Sequence, residues 1–176
     1  MEPHEIGRFE AIVLPHLDAA YTLARYLVQK EDDARDVVQD SYLRALKYFG
    51  GFRGTDAKDG RSWLLAIVRN TAFTRRRRGR WDASATEFNE QLHSDAVEEA
   101  HPETELQRAA ARESLHQALD RLPLEFREVI VLRELEGMSY KEIGEVTGVP
   151  VGTVMSRLSR ARQRLQRALV AEPKGG

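Results

Sequence analysis

The chain has 176 residues and a formal net charge of -1, from 27 Lys and Arg against 28 Asp and Glu, with five His and no Cys. The lack of Cys excludes disulfides, thiolate chemistry and cysteine-zinc sites and favours the cytoplasm. No apolar run approaches the roughly 20 residues of a membrane span, and Met1-Glu-Pro-His-Glu5 lacks the basic-then-apolar order of a signal peptide, so a soluble, unprocessed chain without membrane insertion is expected.

Near-neutrality hides a segregation of charge, with arginine gathered in two segments and carboxylates between them. From Ile6, apolar residues recur at helical spacing through Phe9, Val13, Leu17, Ala20, Ala24 and Leu27, and Pro15 predicts a kink or two consecutive helices. A further helix is expected after Glu31, capped by Asp32 or Asp33, turning Ala34, Val37, Ser41, Ala45 and Tyr48 inward and stopping at Gly50-Gly51. Phe52 to Arg61 holds Gly54, Asp56, Asp59 and Gly60 and reads as a loop. Ser62 then caps a helix that buries Leu64, Ile67, Val68, Thr71 and Ala72 and ends in Arg75-Arg76-Arg77-Arg78.

Between Asp82 and Gln107 the charged residues are all acidic, and this stretch reads as a flexible linker. Helical periodicity returns at Leu106 and runs through Ala109, Leu115, Ala118, Leu119 and Leu122. Pro123 opens a helix expected to continue through Phe126, Val129, Ile130 and Arg133 to Gly137. Ser139-Tyr-Lys-Glu142 is a capping box. Its short helix ends at Gly148, and the turn Gly148-Val-Pro150 leads into a last helix with Val154, Leu158, Ala161, Leu165 and Leu169 on its inner seam. No strand signal is present, so the expected fold class is all-α.

A capped helix, a glycine turn and a second helix with a basic outer face make a helix-turn-helix, whose second helix lies in the major groove. Its outer side presents Thr153, Ser156, Arg157, Arg160, Arg164 and Arg167, and from Pro150 to Arg167 there are five arginines and no acid. That composition suits phosphate neutralisation and bidentate reading of guanine edges. Trp63, Arg69, Asn70, Phe73 and the arginine run form a second constellation. Cations that hold a backbone, beside flat and amide groups that engage an unstacked base, suit single-stranded or melting DNA.

Three co-linear motifs carry a resemblance to one family. Asp33-Ala-Arg-Asp-Val-Val-Gln-Asp-Ser-Tyr-Leu43 resembles region 2.2 of extracytoplasmic-function (ECF) sigma factors, and Ser62-Trp-Leu-Leu-Ala-Ile-Val-Arg-Asn-Thr-Ala72 resembles their regions 2.3 to 2.4. Leu122 to Arg162, with Gly137-Met-Ser-Tyr-Lys-Glu-Ile-Gly144 and Gly148-Val-Pro-Val-Gly-Thr-Val-Met-Ser-Arg-Leu-Ser-Arg160, resembles region 4. The resemblance implies two small helical domains, a region 2 bundle over 5–80 and a region 4 helix-turn-helix over 112–171, joined by a flexible acidic linker over 81–111.

The resemblance also implies the functional residues and partners. Asp33, Asp36, Gln39, Asp40 and Leu43 would bind core RNA polymerase. Arg61, Ser62, Trp63, Arg69, Asn70, Phe73, Arg75, Arg76 and Arg77 would take the minus-ten element of promoter DNA, with the loop before Ser62 helping to capture a flipped base. Thr153, Met155, Ser156, Arg157, Ser159, Arg160 and Arg164 would read the minus-thirty-five element as duplex. Met155 departs from the Lys or Arg frequent there. An anti-sigma factor is an implied partner, and stress-responsive transcription the implied setting.

If the two DNA elements lie about 20 to 25 base pairs apart, the readers must span roughly 70 to 85 Å. No cofactor, metal or catalytic residue is expected: His4, His16, His93, His101 and His116 lack metal-ligand spacing and no phosphate-cradling glycine loop is present, which argues against an enzyme.

Overall fold

Pro15 divides the first apolar stripe into two helices. In the computed structural model, which describes residues 1–83 and 103–171, α1 spans Pro3–Ile12, a 3-10 turn Leu14–His16 contains the proline, and α2 spans Leu17–Val28. Phe9, Val13, Ala20, Ala24 and Leu27 are buried as expected, whereas Ile6 and Leu17 stay exposed because the 3-10 turn rotates the stripe between the two helices. Gln29 ends α2 in the left-handed region, φ 67°.

Helix α3, Glu31–Tyr48, begins two or three residues earlier than the expected Asp32 or Asp33 cap implies. Lys30 is its N-cap, so Asp32 and Asp33 lie inside the first turn, where their charge complements the helix dipole. Ala34, Val37, Ser41 and Ala45 are buried. Tyr48 points to solvent, because the chain leaves the helix there for the 3-10 turn Phe49–Gly51 and Phe49 enters the core instead.

Helix α4, Ala57–Ala83, extends past the expected limits at both ends. Residues 57–61 are helical, and Ser62 is buried inside the helix, not its cap. The start is held by Asp56, whose carboxylate accepts from the Asp59 N–H at 2.9 Å, a capping contact. Gly60, which looks like a loop residue, is required by packing: a Cβ there would lie 2.4 Å from the Ile12 carbonyl oxygen. Helices α2, α3 and α4 pack on one another, and α1 closes the base of this bundle against α4.

The expected linker is shorter than 81–111. Helix α5 spans Glu103–Arg121, so residues 103–111 are helical; the rest of the expected linker beyond Ala83 lies outside the described residues. Leu106, expected on the inner stripe, is exposed because little packs against the first turns of α5. Pro123 caps α6, Leu124–Ile130, and the expected α-helix to Gly137 instead becomes a π-helical turn, Val131–Leu135. That wider turn lets Val131 and Leu132 be buried together with Val129 and Ile130.

Helix α7, Tyr140–Thr147, starts with the expected capping box: the Glu142 N–H donates to Ser139 Oγ at 3.1 Å and the Ser139 N–H to the Glu142 carboxylate at 3.0 Å. Gly148 ends it at φ 74°, a conformation that favours glycine. Helix α8, Val151–Ala171, buries Val154, Leu158 and Ala161; Leu165 is half-buried and Leu169 exposed, because α8 outruns the elements it packs on. Among the described residues no strand is present, and no helix is long and apolar enough to cross a membrane.

The two units are in contact. Leu119, Leu122, Phe126 and Ile130 belong to one continuous apolar cluster with the core of the N-terminal bundle, and α4 lies against α7 while α2 lies against α6. Arg127 is buried in this junction, donating to the backbone carbonyls of Leu119, Asp120 and Leu122 and, across the junction, to that of Tyr26 at 2.9 Å. Burial pushes its pKa down, and four carbonyl acceptors stand in for the water it has lost.

Candidate nucleic-acid and polymerase interfaces

The outer face of α8 is open. Its helical period turns Val154, Leu158 and Ala161 inward, which leaves Met155, Ser156, Ser159, Arg160 and Arg164 in solvent, while Thr153 and Arg157 are half-buried. Arg164 lies over the Phe126 ring, 4.9 Å from its centroid, which fixes the guanidinium without neutralising it. Arg162, on the flank, is paired with Glu134 at 2.8 Å. Met155 and Val151 add exposed apolar surface to the first turns, 52% and 42% exposed, of the kind that can pack on a thymine methyl.

The face of α4 is built differently. Phe49, Phe52 and Trp63 form an aromatic cluster, with Trp63 5.1 Å from Phe52, and Arg8 stacks over Phe49 while donating to the Gly54 carbonyl at 2.9 Å. Arg8 thereby fixes the chain ahead of α4, a role its sequence position does not signal. Beside this cluster an open cleft is lined by Phe52, Gly54, Asp59, Ser62 and Trp63, and also by Glu145 of α7. Trp63 is thus both a half-buried packing residue and a cleft wall.

Farther along α4, Asn70 is exposed and its side chain points away from the core. Arg69 stacks on Phe73, 4.0 Å from the ring centroid, and makes a two-point ion pair with Glu128 of α6, Nε to Oε2 at 2.7 Å and Nη2 to Oε1 at 3.2 Å. Glu128 is fully buried. Burial pushes its carboxyl pKa up, and the hydrogen bonds and charge of Arg69 pull it only part of the way back. Arg61 reaches α7, pairing with Glu142 at 3.0 Å and donating to the Glu136 carbonyl at 3.1 Å. Burial opposes the charge on Glu142, but the Ser139 N–H and Arg61 outweigh it and hold the carboxyl below its ordinary value.

The arginine run divides. Arg75 turns toward α3, where one guanidinium nitrogen contacts Asp33 at 2.8 Å and Asp36 at 3.0 Å. Hydrogen bonding to Asp33 raises the Arg75 pKa further. Arg76 donates to the Leu27 carbonyl at 2.8 Å, and Arg77 is exposed with a long contact to Thr74. On α3, Asp36, Gln39, Asp40 and Leu43 share an exposed surface with Leu46 and Tyr48, an acidic and apolar face suited to a basic helical partner; Asp33 is half-buried beside it. Asp40 is bridged within the helix to Arg44 at 3.4 Å.

The structure therefore brings the α3 residues together on one surface and the α8 residues together on another. The expected minus-ten residues it splits between a cleft, an exposed amide, a contact with α3 and a contact with the C-terminal unit. Sequence reasoning missed Glu128 and Glu145 altogether and read Glu142 only as a capping residue. The one available signal was the charged pair Arg127-Glu128 embedded in the apolar run from Leu124 to Leu132. No group of three or more metal-ligating side chains occurs among the described residues.

Comparison with known proteins places this geometry among relatives. Residues 12–82 match Sigma-70 region 2, and residues 112–165 match Sigma-70, region 4. The RNA polymerase sigma-H factor of Pseudomonas aeruginosa is 35% identical over 168 residues, covering 92% of this chain and 86% of its own. The ECF RNA polymerase sigma-E factor of Salmonella typhimurium is 35% identical over 152 residues, covering 83% of this chain and 78% of its own. Among solved structures, the sigma factor RpoE of Bartonella quintana, in complex with the anti-sigma factor NepR, aligns at a TM-score of 0.72 and 29% identity over 94% of this chain and 99% of that one.

Proposed function

Because the chain belongs to the ECF RNA polymerase sigma factors, we propose that it carries core RNA polymerase to promoters and helps to open them, acting by binding in the cytoplasm without a covalent step of its own. Residues 5–80 form the unit for core binding and the minus-ten element, 81–111 the connection to residues 112–171, and these last the unit for the minus-thirty-five element. The α3 surface of Asp33, Asp36, Gln39, Asp40 and Leu43 takes basic helices of the core enzyme. Asn70, with Arg61, Ser62, Trp63, Arg69, Phe73 and the arginines Arg75, Arg76 and Arg77, serves the melted strand. Thr153, Met155, Ser156, Arg157, Ser159, Arg160 and Arg164 serve the upstream duplex. An anti-sigma factor is the expected negative partner.

The observation that carries this reading is the presence, on one chain and in this order, of a helix with exposed carboxylates and apolar groups, an amide- and arginine-bearing helix beside an aromatic cleft, and a helix-turn-helix whose outer face holds arginines and no acid. Extruding a base costs about a few kcal/mol, which stacking on a flat wall and hydrogen bonds from an amide such as Asn70 offset. Run-off transcription with core polymerase on a genomic promoter library tests it. Promoter-specific transcripts are expected; core binding without transcription would make the chain a decoy for anti-sigma factors, and duplex binding without core association a repressor.

A further inference from the structure

The segment from Phe52 to Asp56 has no regular structure, and its first residues wall the cleft beside α4. Its position is set from two sides. On the α4 side, the Thr55 N–H donates to the Asp59 carboxylate at 2.9 Å. On the other side stands Arg8 of α1, 46 positions from Gly54, whose guanidinium lies 5.2 Å from the Phe49 ring centroid and 5.7 Å from that of Phe52 and donates to the Gly54 carbonyl at 2.9 Å. A planar cation that stacks and donates at once fixes both the distance and the orientation of what it touches. We infer that Arg8 is a positioning residue for the minus-ten strand: by bracing the wall from Phe52 to Gly54 it sets the width and angle of the slot that an extruded base enters, and so which base is preferred. This rests on the sigma-factor reading of the cleft given above.

Arg8 projects from a base that is itself fixed. One turn farther along α1, Ile12 lies so close to Gly60 of α4 that a Cβ there would stand 2.4 Å from the Ile12 carbonyl oxygen, so α1 and the start of α4 cannot slide past each other. The wall is folded onto Phe52 at the limit of contact. A Cβ on Gly54 would meet the Phe52 ring at 2.3 Å and the Asp59 Cβ at 2.5 Å. Phe52 in turn lies 5.1 Å from Trp63, another residue of the cleft wall, so a shift of Gly54 reaches the flat groups on which a base would stack. Among the described residues the Arg8 side chain is held by nothing else: its partners are the Gly54 carbonyl and the two rings. Stacking and hydrogen bonds offset the cost of extruding a base only when the flat and polar groups stand at the right spacing, and a misplacement of about 1 Å is enough to change such a fit many-fold.

The test uses the full chain reassembled with core enzyme, on a promoter found by run-off and on its single-base variants through the minus-ten element. Arg8→Gln removes the stack and the charge from an exposed position, and Gly54→Ala displaces the same wall from within, at its tight contact with Phe52. Wild type is expected to favour one base at one of these positions. Each variant is expected to shrink that preference, the ratio of best to worst run-off yield, roughly five-fold or more, with core affinity, upstream duplex binding and the salt dependence of minus-ten-strand binding unchanged. A purely structural role would instead lower the yield on all bases alike, and a direct phosphate contact would reduce the salt slope by about 1 with the preference kept. Either result overturns the proposal, as does shrinkage in one variant and not the other. If Arg8→Gln loses its helical circular dichroism, Arg8→Lys, which keeps the charge and a donor but not the planar stack, is read by the same criteria. A wild-type preference that survives both variants rejects only the role of Arg8, whereas absent wild-type transcription rejects the sigma reading itself.

Discussion

The two helices proposed to face DNA, α4 and α8, differ in what surrounds them. The outer side of α8 needs only its own period and a buried seam of Val154, Leu158 and Ala161 to be displayed, and it stands in solvent. The side of α4 proposed to serve the strand is a cleft made jointly by Arg8, the Phe52–Gly54 segment and Trp63, and two of the helix's cations, Arg61 and Arg69, are paired with the other unit. A duplex reader is complete on a single helix. A strand reader has to be assembled and, once assembled, has a polar surface that other acidic groups can occupy.

Truncating the α8 seam breaks this contrast most strongly. Leu158→Ala empties a site that is 1% exposed and is expected to destabilise the chain by about 2 to 5 kcal/mol, read by chemical denaturation, with loss of upstream duplex binding. Asn70→Ala and Arg160→Ala sharpen the contrast, because both residues are exposed and neither substitution disturbs a core. Each is expected to lose about 1 to 3 kcal/mol of promoter recognition. Asn70→Ala lowers run-off yield with upstream duplex binding intact, and Arg160→Ala weakens that binding in a gel shift and relaxes preference at one base position.

Arg75→Gln has a smaller expected effect and decides which surface Arg75 serves. Its bridges to Asp33 and Asp36 are solvent-exposed and contribute about 0 to 1 kcal/mol to stability. If Arg75 orders the α3 acids, core affinity measured by fluorescence anisotropy changes while oligonucleotide binding does not; a reduced salt dependence of oligonucleotide binding would instead assign it to phosphate.

The smallest effect concerns His16, whose Nε2 lies 2.6 Å from the Ala57 carbonyl at the start of α4. Burial lowers its pKa, against the raising effect of that carbonyl, and nearby Arg61 lowers it further. The unfolded chain therefore takes up the proton more readily, and stability falls as pH drops through the ordinary value of 6.5 toward the depressed folded one. Thermal unfolding between about pH 7.5 and pH 5.5 should show this slope, and His16→Gln should flatten it.

Features set by local chemistry were legible from the residues. The Ser139 to Glu142 capping box, the Gly148 stop and the exposed arginines of α8 follow from neighbours within one or two turns. Helix α4 was misjudged at its start because Asp56 supplies the cap and Gly60 belongs to a helix–helix contact with Ile12, and neither fact is visible without the tertiary fold. Glu128 carries the same lesson at longer range. In sequence it is one of two acids, with Glu125, in a largely apolar run, and its meaning depends on Arg69, 59 positions away. Arg75 was grouped with its neighbours by charge, yet the helix turns it to a different surface from Arg69.

Permanganate footprinting of the polymerase complex on a promoter found by run-off tests the division of labour between α4 and α8 most directly, because the reagent marks unstacked thymines. Wild-type protein is expected to produce reactive thymines at the minus-ten element, and Asn70→Ala to reduce that reactivity several-fold or more while the upstream contact persists. Full reactivity in the Asn70→Ala complex, or its loss together with the upstream contact, would contradict a strand reader on α4 separate from a duplex reader on α8.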